Sequence, residues 1–211
     1  MKQRAATNNR RNVIIAGTLG ALAVAIIVAI ALASRVPQTA SQAPILAPLA
    51  VGQTAPEFSV ATTHGEFDLA KSTDKPTLLE LFATWCPHCQ AETSVLNRVY
   101  DRYGPRANVV AVSASEHGMD GVVPASQADV VDFMNRFDVR YPIAFDPNLD
   151  VAHKYLQGGF PTLVLIQNGK VVAIGDGEIP YANLAAAFDS ALAGRPLKAD
   201  FGLQRPLTSP T

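Results

Sequence analysis

The apolar positions of the chain fall into one long uncharged segment followed by shorter runs. Residues 13–33 contain no charged side chain, and as a helix rising about 1.5 Å per residue they would span roughly the 30 Å hydrocarbon core of a bilayer. Lys and Arg side chains precede this segment, so the positive-inside rule places the N-terminus in the cytoplasm. The pattern predicts a basic cytoplasmic tail over residues 1–12, a transmembrane anchor over residues 13–33, and all later residues outside the cytoplasm.

An alternative for the same segment is a secretory signal peptide, because residues 31–33 read Ala-Leu-Ala, a small-residue cleavage pattern. The uncharged run is longer than the roughly 7–15 apolar residues of such peptides, which favours a retained anchor. Prolines among small residues predict a flexible linker over residues 34–50. Residues 194–211, which also contain prolines, are predicted to form a C-terminal extension.

Between residues 51 and 193, apolar runs of strand length alternate with segments of helical spacing. The Asn168-Gly169 pair between two apolar runs indicates a hairpin, and a turn at His64-Gly65 indicates an N-terminal one. This order predicts an α/β fold with a central mixed sheet flanked by helices, a parallel centre and the late hairpin at the edge. Strands are predicted over 55–60, 65–69, 77–83, 108–113, 162–167 and 170–174, and helices over 90–103, 127–137, 149–156 and from Pro180 onward.

Charge is unevenly distributed along the chain, although the formal net charge is only -1. Five of the 17 Lys and Arg residues lie in the first 35 positions, whereas the 18 Asp and Glu residues all lie at or after Glu57. The region that follows the anchor is therefore acidic. Because nucleic-acid binding needs a basic face, no nucleic-acid partner is expected.

The chain contains two cysteines, Cys86 and Cys89, between an apolar strand and a helix. A disulfide across two residues closes almost no loop, so it would add little to stability through chain entropy. A zinc site would need more ligands than this pair supplies. The spacing therefore predicts a reversible redox couple, and no cofactor is expected.

The start of the predicted helix explains how the two thiols would differ. Cys86 would lie at the helix N-terminus, where free N–H groups and the helix dipole stabilise a thiolate. Pro87 suits the first helical position, and His88 can add positive charge or a hydrogen bond near the sulfur. Cys86 is predicted to be the attacking thiolate, and Cys89, one turn further and more buried, the resolving thiol.

Residues 79–89 read Leu-Glu-Leu-Phe-Ala-Thr-Trp-Cys-Pro-His-Cys, and Gly-Phe-Pro follows at 159–161. This strand, turn and helix resemble the active-site element of thioredoxins. With the anchor and the N-terminal hairpin, the chain is most similar over about residues 50–193 to the extracytoplasmic TlpA/ResA-like thiol–disulfide oxidoreductases. The resemblance implies a thioredoxin-like fold for residues 51–193, protein thiols and disulfides as substrates, and a membrane electron donor of the DsbD or CcdA kind.

The resemblance also implies roles for individual residues. Glu80 would lie beneath Cys89 and exchange protons with it, and its burial among apolar neighbours would raise its pKa. Pro161 matches the cis-proline of the family, which packs beside the disulfide. The backbone of Phe160 would pair with an extended substrate, although this bulky side chain departs from the small or β-branched residue of the family. Trp85 would join Pro87, His88 and Phe160 in the substrate-binding surface.

Several functions remain open from the sequence. A reductase, with a role such as cytochrome c maturation, is the first. A thiol oxidase of the DsbA type is the second, because such oxidants share the Pro87-His88 dipeptide, although their large helical insertion has no room here. A copper chaperone using both cysteines is the third, for which Met119 gives a weak hint. The Pro-x-x-x-Thr-x-x-Cys pattern of a peroxiredoxin is absent. The remaining histidines are expected at the surface: His64, His117 and His153.

Overall fold

A computed structural model describes residues 48–203 of the chain. The predicted cytoplasmic tail and anchor, nearly all of the predicted linker, and residues 204–211 lie outside these described residues. Within residues 48–203, no helix combines the length and the apolar character needed to cross a membrane.

Most predicted elements of the domain form close to their expected limits. The strands are β1 (Ser59–Thr62), β2 (Gly65–Asp68), β3 (Thr77–Phe82), β4 (Asn108–Ser113), β5 (Ile143–Phe145), β6 (Thr162–Gln167) and β7 (Lys170–Asp176). The α-helices are α1 (Pro87–Tyr103), α2 (Gln127–Arg136), α3 (Ala152–Tyr155) and α4 (Tyr181–Leu192).

The strands form one mixed sheet in the order β2-β1-β5-β4-β3-β6-β7, which confirms the predicted central mixed sheet. The pairs β3–β4 and β4–β5 are parallel, and the other pairs are antiparallel. Two details differ from the sequence prediction. The three-residue strand β5 was not predicted, and β6 lies inside the sheet between β3 and β7, so only β7 of the late hairpin is an edge strand.

Strand β3 is buried along its whole length because helices and loops cover both faces of the sheet. Side chains alternate between the two faces of a strand. Leu78 and Phe82 pack in the cluster that includes residues of α1, α2 and α4, whereas Leu79 and Leu81 pack on the other face. Glu80 is two residues from both Leu78 and Phe82, so its side chain points towards the same face as theirs, which α1 covers.

The packed part of the chain extends past both predicted domain limits, 51 and 193. Leu49 is buried on the N-terminal side, and Phe201 is buried on the C-terminal side. The Ile174 N–H of β7 donates a hydrogen bond to the Ala199 carbonyl at 2.8 Å. The first ten residues of the predicted C-terminal extension are thus part of the domain, because an apolar side chain anchors them to it.

Candidate functional site

The turn between β3 and α1 places the first cysteine at a helix N-terminus. Cys86 is the N-cap residue of α1 and Pro87 is in the first turn, where the missing N–H of proline costs no hydrogen bond. The Cys86 N–H donates to the Ala83 carbonyl at 3.1 Å, and the Cys86 carbonyl accepts from the Gln90 N–H at 3.1 Å. The sulfur therefore lies where the helix dipole favours a negative charge.

The second cysteine lies beneath the first, and both are free thiols. Cys89 is completely inaccessible to solvent, whereas Cys86 retains 5% of its accessible surface. Burial, and secondarily the nearby Glu80 carboxyl, raises the pKa of the Cys89 thiol. A thiol with a raised pKa holds its proton, so Cys89 needs a proton acceptor before it can act as a nucleophile.

The segment before β6 supplies the wall beside the cysteines. The Phe160–Pro161 peptide bond is cis, and the Cys86 Sγ donates to the Phe160 carbonyl at 3.7 Å. Trp85 meets the Phe160 ring edge-on with a centroid distance of 6.0 Å, and its Nε1 donates to the Ser115 Oγ at 2.8 Å. The structure thus brings the predicted residues Trp85, Cys86, Phe160 and Pro161 together although they come from two distant parts of the chain.

Glu80 is buried below the cysteines, where the sequence placed a proton-exchanging acid. It is 2% exposed, and its Oε1 atom has no hydrogen-bond partner. Desolvation is the main reason that the pKa of Glu80 lies well above its usual value, and the charge of Glu92 raises it further. A carboxyl in such an environment can take up a proton near neutral pH.

Glu92 is a second buried acid at this site, and the sequence analysis missed it. It lies on α1 three residues after Cys89, so the two side chains share a helix face. Its Oε2 accepts from the Ile179 N–H at 3.2 Å, while its Oε1 has no partner. Burial raises the pKa of Glu92 to about 8, against the opposing effect of the Ile179 N–H. Its three-residue spacing from Cys89 could have indicated that Glu92 lies near this cysteine, but a glutamate in a helix usually faces water.

A tyrosine completes the buried set. Tyr141 precedes β5 and is buried, and its hydroxyl lacks a hydrogen-bond partner. Desolvation, followed by the charges of Glu80, Glu92 and Cys89, raises the pKa of this hydroxyl well above its usual value. Glu80, Cys89, Glu92 and Tyr141 therefore form one electrostatically coupled group, which we call the floor of the site.

His88 occupies a different environment from the one expected. Its Nδ1 lies 2.7 Å from the Glu178 Oε1 in the loop that follows β7, and both side chains are about half exposed or more. The sequence analysis expected this ring to act on the Cys86 sulfur, but that sulfur contacts the Phe160 carbonyl instead. Trp85, Cys86, His88 and Phe160 surround the accessible side of the site, and we call them its rim.

A compact loop adjoins the rim. Residues 116–125 close on themselves through hydrogen bonds between Gly118 N–H and the Val123 carbonyl, and between Ala125 N–H and the Glu116 carbonyl, each 2.8 Å. Gly121 approaches the Trp85 side chain, and a Cβ there would lie 3.8 Å from it. The loop is thus ordered beside Trp85, with Val122 exposed at 75%.

Apart from the two cysteines, the described residues do not form a group that fits a metal ion. Within residues 48–203, no group of three or more His, Cys, Asp or Glu side chains could hold a metal ion. His64, His117 and His153 are exposed, as predicted. Met119 packs partly buried against the core, its N–H bound to Asp129 Oδ1 at 3.0 Å. The loop that contains Met119 is therefore held in place by a helix-capping carboxylate.

Comparison with known families supports a thiol–disulfide oxidoreductase, the class of protein that the geometry of the two cysteines also indicates. The AhpC/TSA family model matches residues 51–174. A thiol-disulfide oxidoreductase ResA of Geobacillus thermodenitrificans is 30% identical over 145 residues, which cover 67% of this chain and 78% of that protein. The ResA of Bacillus cereus is 29% identical over 125 residues, which cover 58% of this chain and 67% of that protein.

Solved structures resemble the same region. The crystal structure of a thiol:disulfide interchange protein DsbE from Chlorobium tepidum has a TM-score of 0.57 and 28% identity, and the match covers 69% of this chain and 97% of that one. A thioredoxin lipoprotein of Streptococcus pneumoniae, at 21% identity and a TM-score of 0.56, shares the fold over 64% of this chain and 99% of that one. The chain therefore belongs to the AhpC/TSA family and is a ResA-like thiol–disulfide oxidoreductase with a thioredoxin-like fold.

Proposed function

We propose that the protein reduces disulfides of extracytoplasmic proteins through the Cys86/Cys89 dithiol. The observation that carries this proposal is the placement of Cys86 Sγ at the N-cap of α1, against the Phe160 carbonyl, with Cys89 and Glu80 buried beneath it. A thiol that keeps a small accessible surface, above a fully buried thiol with an adjacent acid, is the arrangement that two-step disulfide exchange requires.

The reaction would proceed in two exchanges. The Cys86 thiolate attacks a substrate disulfide, forms a mixed disulfide and releases the first substrate thiolate. The Cys89 thiol then gives its proton to the Glu80 carboxylate and attacks the Cys86 sulfur, so the second substrate thiolate leaves. Two electrons pass from the dithiol to the substrate, and a Cys86–Cys89 disulfide remains. A membrane electron donor of the DsbD or CcdA kind would return the two electrons.

The cellular setting is part of the same proposal. Residues 13–33 would anchor the chain in the membrane, with residues 1–12 in the cytoplasm and the domain on the outer or periplasmic side. Trp85, Pro87, His88 and Phe160 would contact an extended substrate segment, and the Phe160 backbone would pair with it. Apocytochrome c is one substrate that fits a ResA-like protein placed there.

The reduction potential of the Cys86/Cys89 couple tests the direction of the reaction. Trp85 lies next to Cys86, so its fluorescence should report the redox state in glutathione or dithiothreitol buffers. A potential near roughly −270 mV, as in thioredoxin, would support a reductase, whereas one near −120 mV would indicate an oxidase. The Pro87-His88 dipeptide favours the oxidase as the second candidate. Failure to form the disulfide would overturn both and favour the copper-chaperone alternative.

A further inference from the structure

Exposed apolar side chains concentrate next to the rim of the site. Within residues 48–203, the large apolar side chains that face solvent are those of Val51, Trp85, Val122, Val123 and Val131. Val122 is 75% exposed and Val123 is 50% exposed. Gly121, directly before them, lies so close to Trp85 that a Cβ on it would be 3.8 Å from the Trp85 Cβ. We call Trp85, Val122 and Val123 the apolar ridge.

Hydrogen bonds within the 116–125 loop fix the backbone of the two valines. The Asp120 Oδ1 accepts from the Val122 N–H at 2.9 Å and from the Val123 N–H at 3.0 Å. Gly121, with a φ of 72°, adopts the left-handed conformation that glycine allows. Met119 of the same loop packs against the core. The ridge is therefore formed before a substrate arrives, so contact with it costs little conformational entropy.

Trp85 connects the ridge to the reactive sulfur. It directly precedes Cys86, and its ring meets Phe160, whose carbonyl accepts from the Cys86 Sγ. In a mixed disulfide the Cα atoms of the two cysteines lie about 4.4–6.8 Å apart, and each further residue of an extended segment adds about 3.4 Å. A substrate segment attached to Cys86 therefore has residues two or three positions from its cysteine within reach of the ridge.

The composition of the ridge defines which side chains fit there. A solvent-exposed turn commonly carries Gly, Asn, Asp or Ser, whereas here two adjacent valines face water. Apolar surface gains free energy when a partner removes it from water. A polar side chain of the substrate would lose hydration against the valines without gaining a hydrogen bond, so the ridge fits an aliphatic side chain.

We infer that the apolar ridge is a specificity surface for substrate proteins that carry an aliphatic side chain two or three positions from the reactive cysteine. This inference rests on the proposed function, since it names the substrate class of the same site. The ridge contributes binding, and the exchange chemistry stays with Cys86 and Cys89.

Two matched peptides test this preference on the reduced full chain. Each has a central cysteine joined by a disulfide to thionitrobenzoate, and the residues two and three positions to either side are all Leu in one peptide and all Ser in the other. The Cys86 thiolate attacks the peptide sulfur, which forms a mixed disulfide and releases coloured thionitrobenzoate. The second-order rate constant of this release should be about 3- to 10-fold higher for the Leu peptide.

Substitutions of exposed valines show whether the ridge causes the preference. Val122→Ser combined with Val123→Ser should reduce the ratio of the two rate constants to below about 2. Val51→Ser is the matched control and should keep the ratio. Val51 is 43% exposed, and the adjacent Gly52 N–H donates to the Val171 carbonyl, at the end of the β6–β7 hairpin away from Pro161. An unchanged ratio in the double variant, or an equal loss in Val51→Ser, would overturn the inference.

A second pair of variants tests the positioning of the valines rather than their composition. Asp120→Ala removes the acceptor of both valine N–H groups and should lower the ratio of the two rate constants about twofold or more. Asp120→Asn keeps an acceptor oxygen and should restore the ratio. Equal ratios in these two variants would contradict the part assigned to the Asp120 hydrogen bonds.

A binding measurement separates this inference from the proposed function. The same peptides with serine in place of cysteine cannot react, and Trp85, the one tryptophan of the chain, reports their binding by fluorescence. The Leu peptide should bind about 3- to 10-fold more tightly than the Ser peptide. If this preference holds but the dithiol reduces no disulfide, the proposed function fails and the apolar contact stands. If disulfides are reduced and neither measurement shows a preference, the ridge is not a specificity surface and the proposed function stands.

Discussion

At the rim of the redox site each polar side-chain group has a partner, whereas at the floor three polar atoms have none. Trp85 Nε1 donates to Ser115, and the His88 ring binds Glu178. Below them, Glu80 Oε1, Glu92 Oε1 and the Tyr141 hydroxyl are buried and have no hydrogen-bond partner among residues 48–203. Each region contains one of the two sulfur atoms: Cys86 belongs to the rim and Cys89 to the floor.

The difference follows from what each region must do. At the rim, hydrogen bonds fix the orientation of side chains on the accessible side of the site, and water can solvate what remains. At the floor, a fully satisfied carboxylate would keep its charge and a low pKa. Desolvation raises the pKa of both carboxyls, each of which has one oxygen without a hydrogen bond within residues 48–203, so a carboxyl at the floor can exchange a proton with Cys89 near neutral pH.

The largest expected effect separates the two cysteines. Cys89→Ala should lose disulfide reduction to the uncatalysed rate and accumulate a covalent complex through Cys86, because the mixed disulfide has no resolving thiol. Cys86→Ala should lose the same activity without trapping a complex. Insulin reduction and non-reducing electrophoresis measure both properties. Trapping by Cys86→Ala rather than by Cys89→Ala would reverse the assigned roles of rim and floor.

The next effect concerns proton transfer at the floor. Glu80→Gln should slow the reduction of a peptide disulfide about 10- to 100-fold, the low end of general acid–base contributions. The wild-type rate should rise with pH as Glu80 ionises above its usual range, because the carboxylate accepts the proton, and the variant should lose this rise. Single-turnover kinetics from pH 5.5 to 8.5 make the measurement.

Glu92→Gln is the matched control for that experiment. Both variants replace a buried carboxyl with an amide of the same size, but only one should remove the pH-dependent step. If Glu92→Gln loses the step and Glu80→Gln keeps it, the acid on the helix rather than the acid on the strand exchanges protons with Cys89.

Glu92 should also leave a signature in stability. Its pKa is about 8 in the folded protein and 4.5 ordinarily, so the folded state holds a proton that the unfolded state releases. The contribution of Glu92 to the free energy of unfolding should therefore be complete below pH 4.5, its ordinary pKa. It should fall as the pH rises towards 8, by at most about 1.4 kcal/mol per pH unit. Glu92→Gln should lack this contribution, and urea unfolding at pH 5, 6, 7 and 8 would show it. Parallel stability curves for the two proteins would contradict the buried ionisation.

The smallest effect compares two buried tyrosines. The Tyr103 hydroxyl donates to the Ala185 carbonyl at 3.1 Å and to Asp189 Oδ1 at 2.9 Å, so Tyr103→Phe should cost about 1–2 kcal/mol of unfolding free energy. The Tyr141 hydroxyl makes no hydrogen bond within residues 48–203. Tyr141→Phe should therefore change the free energy of unfolding by less than about 0.5 kcal/mol. Urea unfolding of both variants makes the comparison. Equal losses of unfolding free energy would mean that the Tyr141 hydroxyl makes a hydrogen bond that the structure does not show.

The sequence was sufficient where a feature depends on nearby residues. The start of α1 could be predicted because Cys86 and Pro87 are adjacent and proline favours a first helical turn. The central strand β3 could be predicted from an apolar run, and Glu80 stands out because it interrupts that run. The N-terminal hairpin was similarly local, since β1 and β2 are joined by two residues.

The features that were missed depend on distant contacts or on very short elements. In the sequence, Glu92 resembles an ordinary exposed acid on a helix surface. Its buried environment depends on the contact with the Ile179 N–H, 87 positions later. The interaction of His88 with Glu178 spans 90 positions and has no local signal. Strand β5 has three residues, too few for periodicity to reveal. Apolar character alone also does not identify the buried face of α2: Val131 is 38% exposed, whereas Val130 and Phe133 face the core.

The contact between Cys86 and Phe160 can form only after both residues have been synthesised. The two residues are 74 positions apart, and the N-terminal part of a protein is made first. The cysteines therefore emerge with their helix before Pro161, β6 and the 177–179 loop exist to complete the site. A nascent or truncated chain that ends before Phe160 would carry both thiols without the wall that Phe160 and Pro161 form beside them, so the complete site arrives only with the last quarter of the chain.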